Sequence, residues 1–167
     1  MSTRILVAYA SPKGSTAEIA QAVGKELQSK GYSVDVMEMK SVSSPEGYQA
    51  VVIGGPFYMG KVVGDVGKFI GRNRDILAKV PVAAFAVGVA PVGKDPTEIS
   101  NAMKKFLEAL VPLKPVAVTI FAGKVDLEKL SFFQKLIVGR VHAPVGDFRD
   151  WAAIVSWAIE LPAKLGV

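Results

Sequence analysis

Six residues near the start of the chain, Ser11-Pro12-Lys13-Gly14-Ser15-Thr16, place three hydroxyls, an ammonium and a glycine between the apolar run Ile5 to Ala10 and a stretch with helical spacing. Where a strand gives way to a helix, the first backbone N–H groups have no partner within the helix, and the helix dipole favours an anion there. The dipole contributes only about 0.3 to 1 kcal/mol, so a phosphate held here draws most of its affinity from several N–H and O–H donors converging on it. Ser11, Ser15 and Thr16 are suited to supply them. Taken alone, the same residues also read as an ordinary helix cap, since serine and threonine are common in that role.

A second group, Gly54-Gly55-Pro56-Phe57-Tyr58-Met59-Gly60-Lys61, sets two aromatics and a methionine between glycines. Phe57, Tyr58 and Met59 offer a surface on which a flat ring system can stack, and Gly60 lets bare backbone approach a ring edge. The alternative is that these side chains plug the end of a core. A third group, Gly88-Val89-Ala90-Pro91-Val92-Gly93, is rich in turn formers and suited to line the opposite side of the same ligand.

Other chemistries are excluded. Zero cysteines remove disulfides, thiolate metal sites and iron–sulfur clusters, and a single histidine, His142, makes neither a metal cluster nor a convincing triad. No catalytic acid, base or nucleophile and no metal ligand is assigned. Gly55 to Lys61 and Gly88 to Lys94 match the glycines and lysine of a nucleoside-triphosphate loop, yet Val62 and Asp95 stand where the magnesium-binding hydroxyl belongs. No G-x-G-x-x-G follows the first strand, which argues against a dinucleotide site. Asp147, Arg149 and Asp150 precede the last helix and read as its cap and surface ion pairs.

The elements that position these loops follow from hydrophobic spacing. Apolar, β-branched runs at Arg4 to Ala10, Ser33 to Glu38, Ala50 to Gly55, Val80 to Gly88 and Val116 to Ala122 predict five strands. Between the first two, Ala17, Ala20, Val23 and Leu27 predict a helix closed at Gly31. Asp95-Pro96-Thr97-Glu98 starts another, with a cap, proline at its first position and a carboxylate behind it. Weaker periodicity predicts helices over Val63 to Leu77 and from Trp151 to Leu161, the last ending near Pro162. Strands alternating with helices give an α/β class, a three-layer doubly wound sheet of five parallel strands, with ligands bound beyond the carboxyl ends of the strands where the strand order reverses. An extra segment, 126–150, carries a helical stripe of Leu127, Leu130, Phe133, Ile137 and Val141.

With 167 residues, 50% of them hydrophobic, and a mean hydropathy of +0.34, the chain is expected to be a single domain around one large core. The longest weakly polar run, Val80 to Val92, is far shorter than the roughly 20 residues of a membrane span, and Ile5 to Ala10 is too short for a signal peptide, so a cytoplasmic location is expected. Twenty basic against fifteen acidic residues give a net charge of +5, which favours anionic partners: phosphates, acidic proteins, porphyrin carboxylates or lipid headgroups. Nucleic acid is not among the expected partners, because the positive residues are scattered and no aromatic platform interleaves with them.

The loop S-x-x-G-S-T at Ser11 to Thr16, the Gly-Gly-x-aromatic loop at Gly54 to Phe57 and the five alternating strands together resemble the flavodoxin-like FMN-binding family, over essentially the whole chain. The strand order 2-1-3-4-5, with FMN at the switch point, is known of flavodoxins and comes with the resemblance. Tyr58 to Lys61, Phe132 to Ile137 and Asp147 to Trp151 look like the branch that contains menaquinone-dependent protoporphyrinogen oxidase. The resemblance implies that Ser11, Lys13, Gly14, Ser15 and Thr16 hold the FMN phosphate. Lys13 there replaces a hydroxyl residue common in electron-carrier flavodoxins. It further implies that Pro56, Phe57, Tyr58, Met59 and Gly60 contact the isoalloxazine, and that Val87, Gly88, Val89, Ala90 and Pro91 cover its other edge, without the aromatic many flavodoxins place there.

Two functions follow from that resemblance. One is an FMN oxidoreductase of the protoporphyrinogen oxidase type, passing electrons from a porphyrinogen to a quinone. Phe132, Phe133, Leu136 and Ile137, with Lys135 and Arg140, then either cover a sheet edge or lie peripherally at the inner face of a membrane. The other is an electron carrier between protein partners with no small-molecule substrate of its own. Lys61, Lys68, Arg72, Arg74 and Lys79 against Asp65 and Asp75 make the region after the aromatic loop basic, so that its partner is expected to be acidic.

Overall fold

The computed structural model describes residues 2–10, 14–58, 60–62, 64–88, 90–125 and 146–167. The elements run β1 (Arg4–Tyr9), α1 (Ser15–Ser29), β2 (Ser33–Glu38), a 3₁₀ turn (Met39–Ser41), β3 (Ala50–Tyr58), β4 (Lys61–Val62), α2 (Gly64–Arg72) and α3 (Arg74–Leu77). They continue with β5 (Val82–Gly88), a second 3₁₀ turn (Ala90–Gly93), α4 (Pro96–Leu110), β6 (Ala117–Ala122), β7 (Lys124–Val125), β8 (Gly146–Asp147) and a last helix, here α5 (Trp151–Leu165).

Five strands pair in parallel in the order β2-β1-β3-β5-β6, with Val7 opposite both Val36 and Val52, and Ala84 opposite both Ile53 and Val118. This is the doubly wound α/β sheet expected from the alternation of elements. The central strands are covered on both faces, which is why β1 reads as an uninterrupted apolar run with Ile5, Leu6, Val7 and Ala8 all fully buried. Alternate residues serve two separate cores. Ile5 and Val7 meet Ile19, Val23 and Leu27 of α1 and Ile154, Trp157 and Leu161 of α5. Leu6 and Ala8 meet Val66, Phe69 and Ile70 of α2 and Ala102, Phe106 and Leu110 of α4 on the other face. At about 1.5 to 3 kcal/mol for each large side chain fully buried, these two layers are the main force holding the sandwich together. Phe85, Phe121 and Trp157 pack with ring centroids 5.6 to 5.9 Å apart, in tilted and edge-on pairs, between β5, β6 and α5.

Three elements differ from the sequence expectation. β3 continues past Gly55 to Tyr58 and folds back on β4, pairing Phe57 with Val62 and Tyr58 with Lys61, so a short antiparallel sixth strand joins the five. The helix expected over Val63 to Leu77 is two helices, because buried Asn73 donates through Nδ2 to the Phe69 carbonyl at 2.9 Å while its own carbonyl accepts the Leu77 N–H. The last helix does not stop at Pro162 but runs to Leu165 and closes on left-handed Gly166. A proline inside a helix costs about 3 kcal/mol, which burial of Leu161, Pro162 and Leu165 against the sheet offsets. The apolar stripe of the extra segment falls within 126–145, outside the described residues; its flanks are β7 and β8, which pair antiparallel, Lys124 with Asp147 and Val125 with Gly146.

Candidate functional site

In a parallel sheet every strand delivers its following loop to the same edge, and here those loops are tied together. The Ala10 N–H donates to the Gly54 carbonyl (2.9 Å), the Gly123 N–H to the Gly88 carbonyl (3.1 Å) and the Phe148 N–H to the Gly123 carbonyl (3.2 Å). The ends of β1, β3, β5 and β6 thus form one margin. Because β2 and β3 flank β1 on opposite sides, the strand order reverses between β1 and β3, beside the start of α1, and in open α/β sheets that is where ligands bind.

The first loop enters the described structure at Gly14, the N-cap of α1, which adopts φ 88°. This left-handed backbone favours glycine, and among the described residues a β-carbon placed there meets nothing within 4 Å. The Gly14 carbonyl accepts the Glu18 N–H at 3.2 Å. Ser15 Oγ accepts the Lys124 N–H at 3.3 Å, which fixes the oxygen and leaves the hydroxyl hydrogen to donate elsewhere. Thr16 is turned into the molecule and only 3% exposed. Ser11 and Lys13 lie outside the described residues.

The aromatic group forms a hairpin tip, with Gly60 at φ 75° in the turn between Tyr58 and Lys61. Pro56 lies in register with Val87, which brings the second and third groups side by side. Phe57 is half-buried, its ring standing edge-on to Phe106 with centroids 6.4 Å apart, so it plugs the α4 core, as the alternative reading of that loop had it. The Tyr58 backbone is in the strand, and Met59 is outside the described residues. In the third group Val87 is a core side chain at 5% exposure, Gly88 packs against the Phe57 backbone, and Ala90 and Pro91 form the 3₁₀ turn in which the Pro91 carbonyl accepts the Lys94 N–H. Val89 is outside the described residues.

Sequence reading missed two contributors. The Lys124 backbone amide reaches Ser15 across 109 positions, and the Lys105 side chain lies over Gly60. An apolar strand ending in glycine was the faint signal for the first; nothing local marks the second. Lys61, Lys94, Lys105 and Lys124, all exposed, surround the margin, and none forms an ion pair among the described residues.

The carboxylates at this edge are engaged. Arg149, its side chain 8% exposed, pairs through Nε and a terminal nitrogen with both oxygens of Asp147 (2.9 and 2.7 Å), bonds Glu18 in the first turn of α1 and stacks 4.8 Å from the Trp151 ring centroid. The hydrogen bond from Arg149 holds the Asp147 carboxyl at about 2, below its ordinary 3.8. The guanidinium is held still more firmly charged, chiefly by the same bond. Asp150 caps α5 by accepting the Ala153 N–H at 3.0 Å. The cluster is a brace between α1 and β8, which agrees with reading Asp147, Arg149 and Asp150 as structural. Among the described residues no group of three or more acidic or histidine side chains is placed to hold a metal ion, and no helix is long and apolar enough to cross a membrane.

What the margin offers chemically is a helix start suited to an anion beside a hairpin tip and a small-residue turn, with ammonium groups that have no ion pair among the described residues. No curated protein matches the chain. Solved structures match over nearly its whole length at low identity: a flavodoxin from the domain Archaea (19% identity, TM-score 0.57, covering 99% of this chain and 100% of that one) and flavodoxin 2 from Bacillus cereus (20%, 0.55, 98% of each). Rubredoxin oxygen:oxidoreductase from Desulfovibrio gigas matches 98% of this chain with 37% of its own (16%, 0.56). The family model described as flavodoxin domain matches residues 6–150. With most of its length matched by that model, the chain belongs to the flavodoxin domain family.

Proposed function

We propose that the chain binds FMN at the margin between β1 and β3 and carries electrons to or from a redox partner protein. The observation that supports this most directly is the glycine-capped start of α1 at the switch point of the sheet, with a left-handed Gly14 and a Ser15 hydroxyl already oriented by the Lys124 amide. These donors fit a phosphate: the first-turn amides, that of Thr16 among them, and one positioned hydroxyl; Ser11 and Lys13, outside the described residues, are proposed to join them. FMN, when bound, supplies the one- and two-electron chemistry that a chain without cysteine lacks. Pro56 to Gly60 and Val87 to Pro91 border the ring and set its orientation. The described part of the hairpin offers the backbone of Tyr58 and Gly60, while Phe57 and Val87 serve as core wall.

The rim of lysines fits an acidic partner, so the rate of electron exchange should fall as salt rises. Fluorescence and absorption titration with FMN is the deciding experiment. The purified protein is expected to bind one FMN, and Ser15→Ala to weaken binding by about 1.5 to 3 kcal/mol through loss of a charge-assisted hydrogen bond. A protein that takes up no FMN overturns the proposal.

A second reading is an oxidoreductase of the protoporphyrinogen oxidase type, with a porphyrinogen donor, a quinone acceptor and peripheral membrane contact. It is favoured by the rooting of segment 126–145 through β7 and β8 beside Ser15, where an added element would border the ring. Oxidation of protoporphyrinogen with menaquinone, at a rate above that of free FMN, distinguishes it from the carrier.

A further inference from the structure

The Lys105 side chain crosses the tip of the β3–β4 hairpin. A β-carbon placed on Gly60 would lie 3.1 Å from Nζ, 3.4 Å from Cδ and 3.8 Å from Cε, so both the stem and the ammonium rest on this glycine. The helix holds the lysine there. Its neighbour Phe106 is 1% exposed and stands edge-on to Phe57, the strand residue three positions before Gly60, and Ala102, one turn earlier on α4, is also buried. Lys105 forms no ion pair among the described residues.

We infer that Lys105 sets the reduction potential of the bound ring, its charge favouring the reduced form over the oxidised one. The inference rests on the FMN reading above and adds to it a specific residue whose side chain lies over the loop. An oxidised isoalloxazine is neutral; uptake of two electrons and one proton from a reductant leaves it with one negative charge. A nearby cation therefore stabilises the product of reduction more than the reactant. Lys105 is solvent-exposed, so screening limits the effect, with a Debye length of about 8 Å at physiological salt. Lys105 is a tuning residue rather than a catalytic one.

The test uses FMN-loaded protein and three variants. Lys105→Met keeps the stem over Gly60 and removes the charge, Lys105→Arg keeps the charge, and Lys105→Glu reverses it. Potentials are measured by equilibration with reference dyes under dithionite, and affinity for oxidised FMN by fluorescence titration. Lys105→Met is expected to leave the affinity for oxidised FMN nearly unchanged and to weaken binding of the reduced form by about three- to tenfold. At about 30 mV per tenfold for a two-electron couple, this is a fall of roughly 15 to 30 mV. Lys105→Glu should fall further, Lys105→Arg should stay at the wild-type value, and the differences should shrink in about 1 M salt. A Lys105→Met potential equal to wild type, or equal shifts in Lys105→Met and Lys105→Arg, overturns the inference and leaves FMN binding standing. Failure of the wild-type protein to bind FMN appears before any variant is made, and removes both.

Discussion

Gly14 concentrates in one residue the conditions for anchoring an anion: a left-handed φ and no side chain beside the first turn of α1. A β-carbon at position 14 meets nothing within 4 Å among the described residues, so the penalty of Gly14→Val is taken as conformational, about 1 to 2 kcal/mol for an L-residue held left-handed. The expected result is a roughly five- to thirtyfold loss of FMN affinity with the circular-dichroism spectrum retained. Unchanged affinity would remove the loop from the site. Asp147 gives a prediction in pH. Its carboxyl is held at about 2 by Arg149, so it binds protons less readily folded than unfolded, and the stabilisation is complete above about pH 4. As pH falls from about 4 to 2 the brace is lost. Asp147→Asn should flatten the fall of stability across that interval in urea titrations, by a modest amount because the carboxylate is 43% exposed.

At the scale of elements, α4 joins the core to the hairpin tip. Phe106 is buried by the sheet and faces Phe57. Phe106→Ala should destabilise the protein by about 3 to 5 kcal/mol in urea unfolding. Phe57→Ala removes a half-buried ring and should cost less, while loosening the hairpin enough to weaken FMN binding. The same element shows what local sequence encodes. The cap of α4 was legible because every part of it is adjacent in the chain: Asp95 Oδ1 accepts the Thr97 N–H at 2.9 Å and Pro96 opens the helix. The break at Asn73 was not legible. It depends on a buried amide turned onto the Phe69 carbonyl and on Arg72 reaching the carbonyls of Met39 and Val42, some thirty positions away. Phe57 was ambiguous for a similar reason, since a loop aromatic becomes a core side chain only when its partner on α4 is known. At the margin, the glycines and hydroxyls announced themselves by type, whereas the Lys124 amide and Lys105 became contributors only through the fold.

At the scale of the molecule, two cores on opposite faces of one sheet carry most of the packing, and backbone bonds between successive loops give the carboxyl margin its shape. The path of the chain through β7 and β8 adds to this. Val125 and Gly146 are paired neighbours, so the 20 positions between them begin and end at one place, and no crossover of the five-stranded sheet passes through them. Replacing 126–145 with Asn-Gly, a sequence suited to closing a two-residue hairpin, should give a protein that folds and retains FMN. Loss of the folded circular-dichroism signal would show that the excursion supports the body. The β7–β8 pair thus works as a socket: an insert of another length or sequence can be spliced between Val125 and Gly146 without rethreading the scaffold.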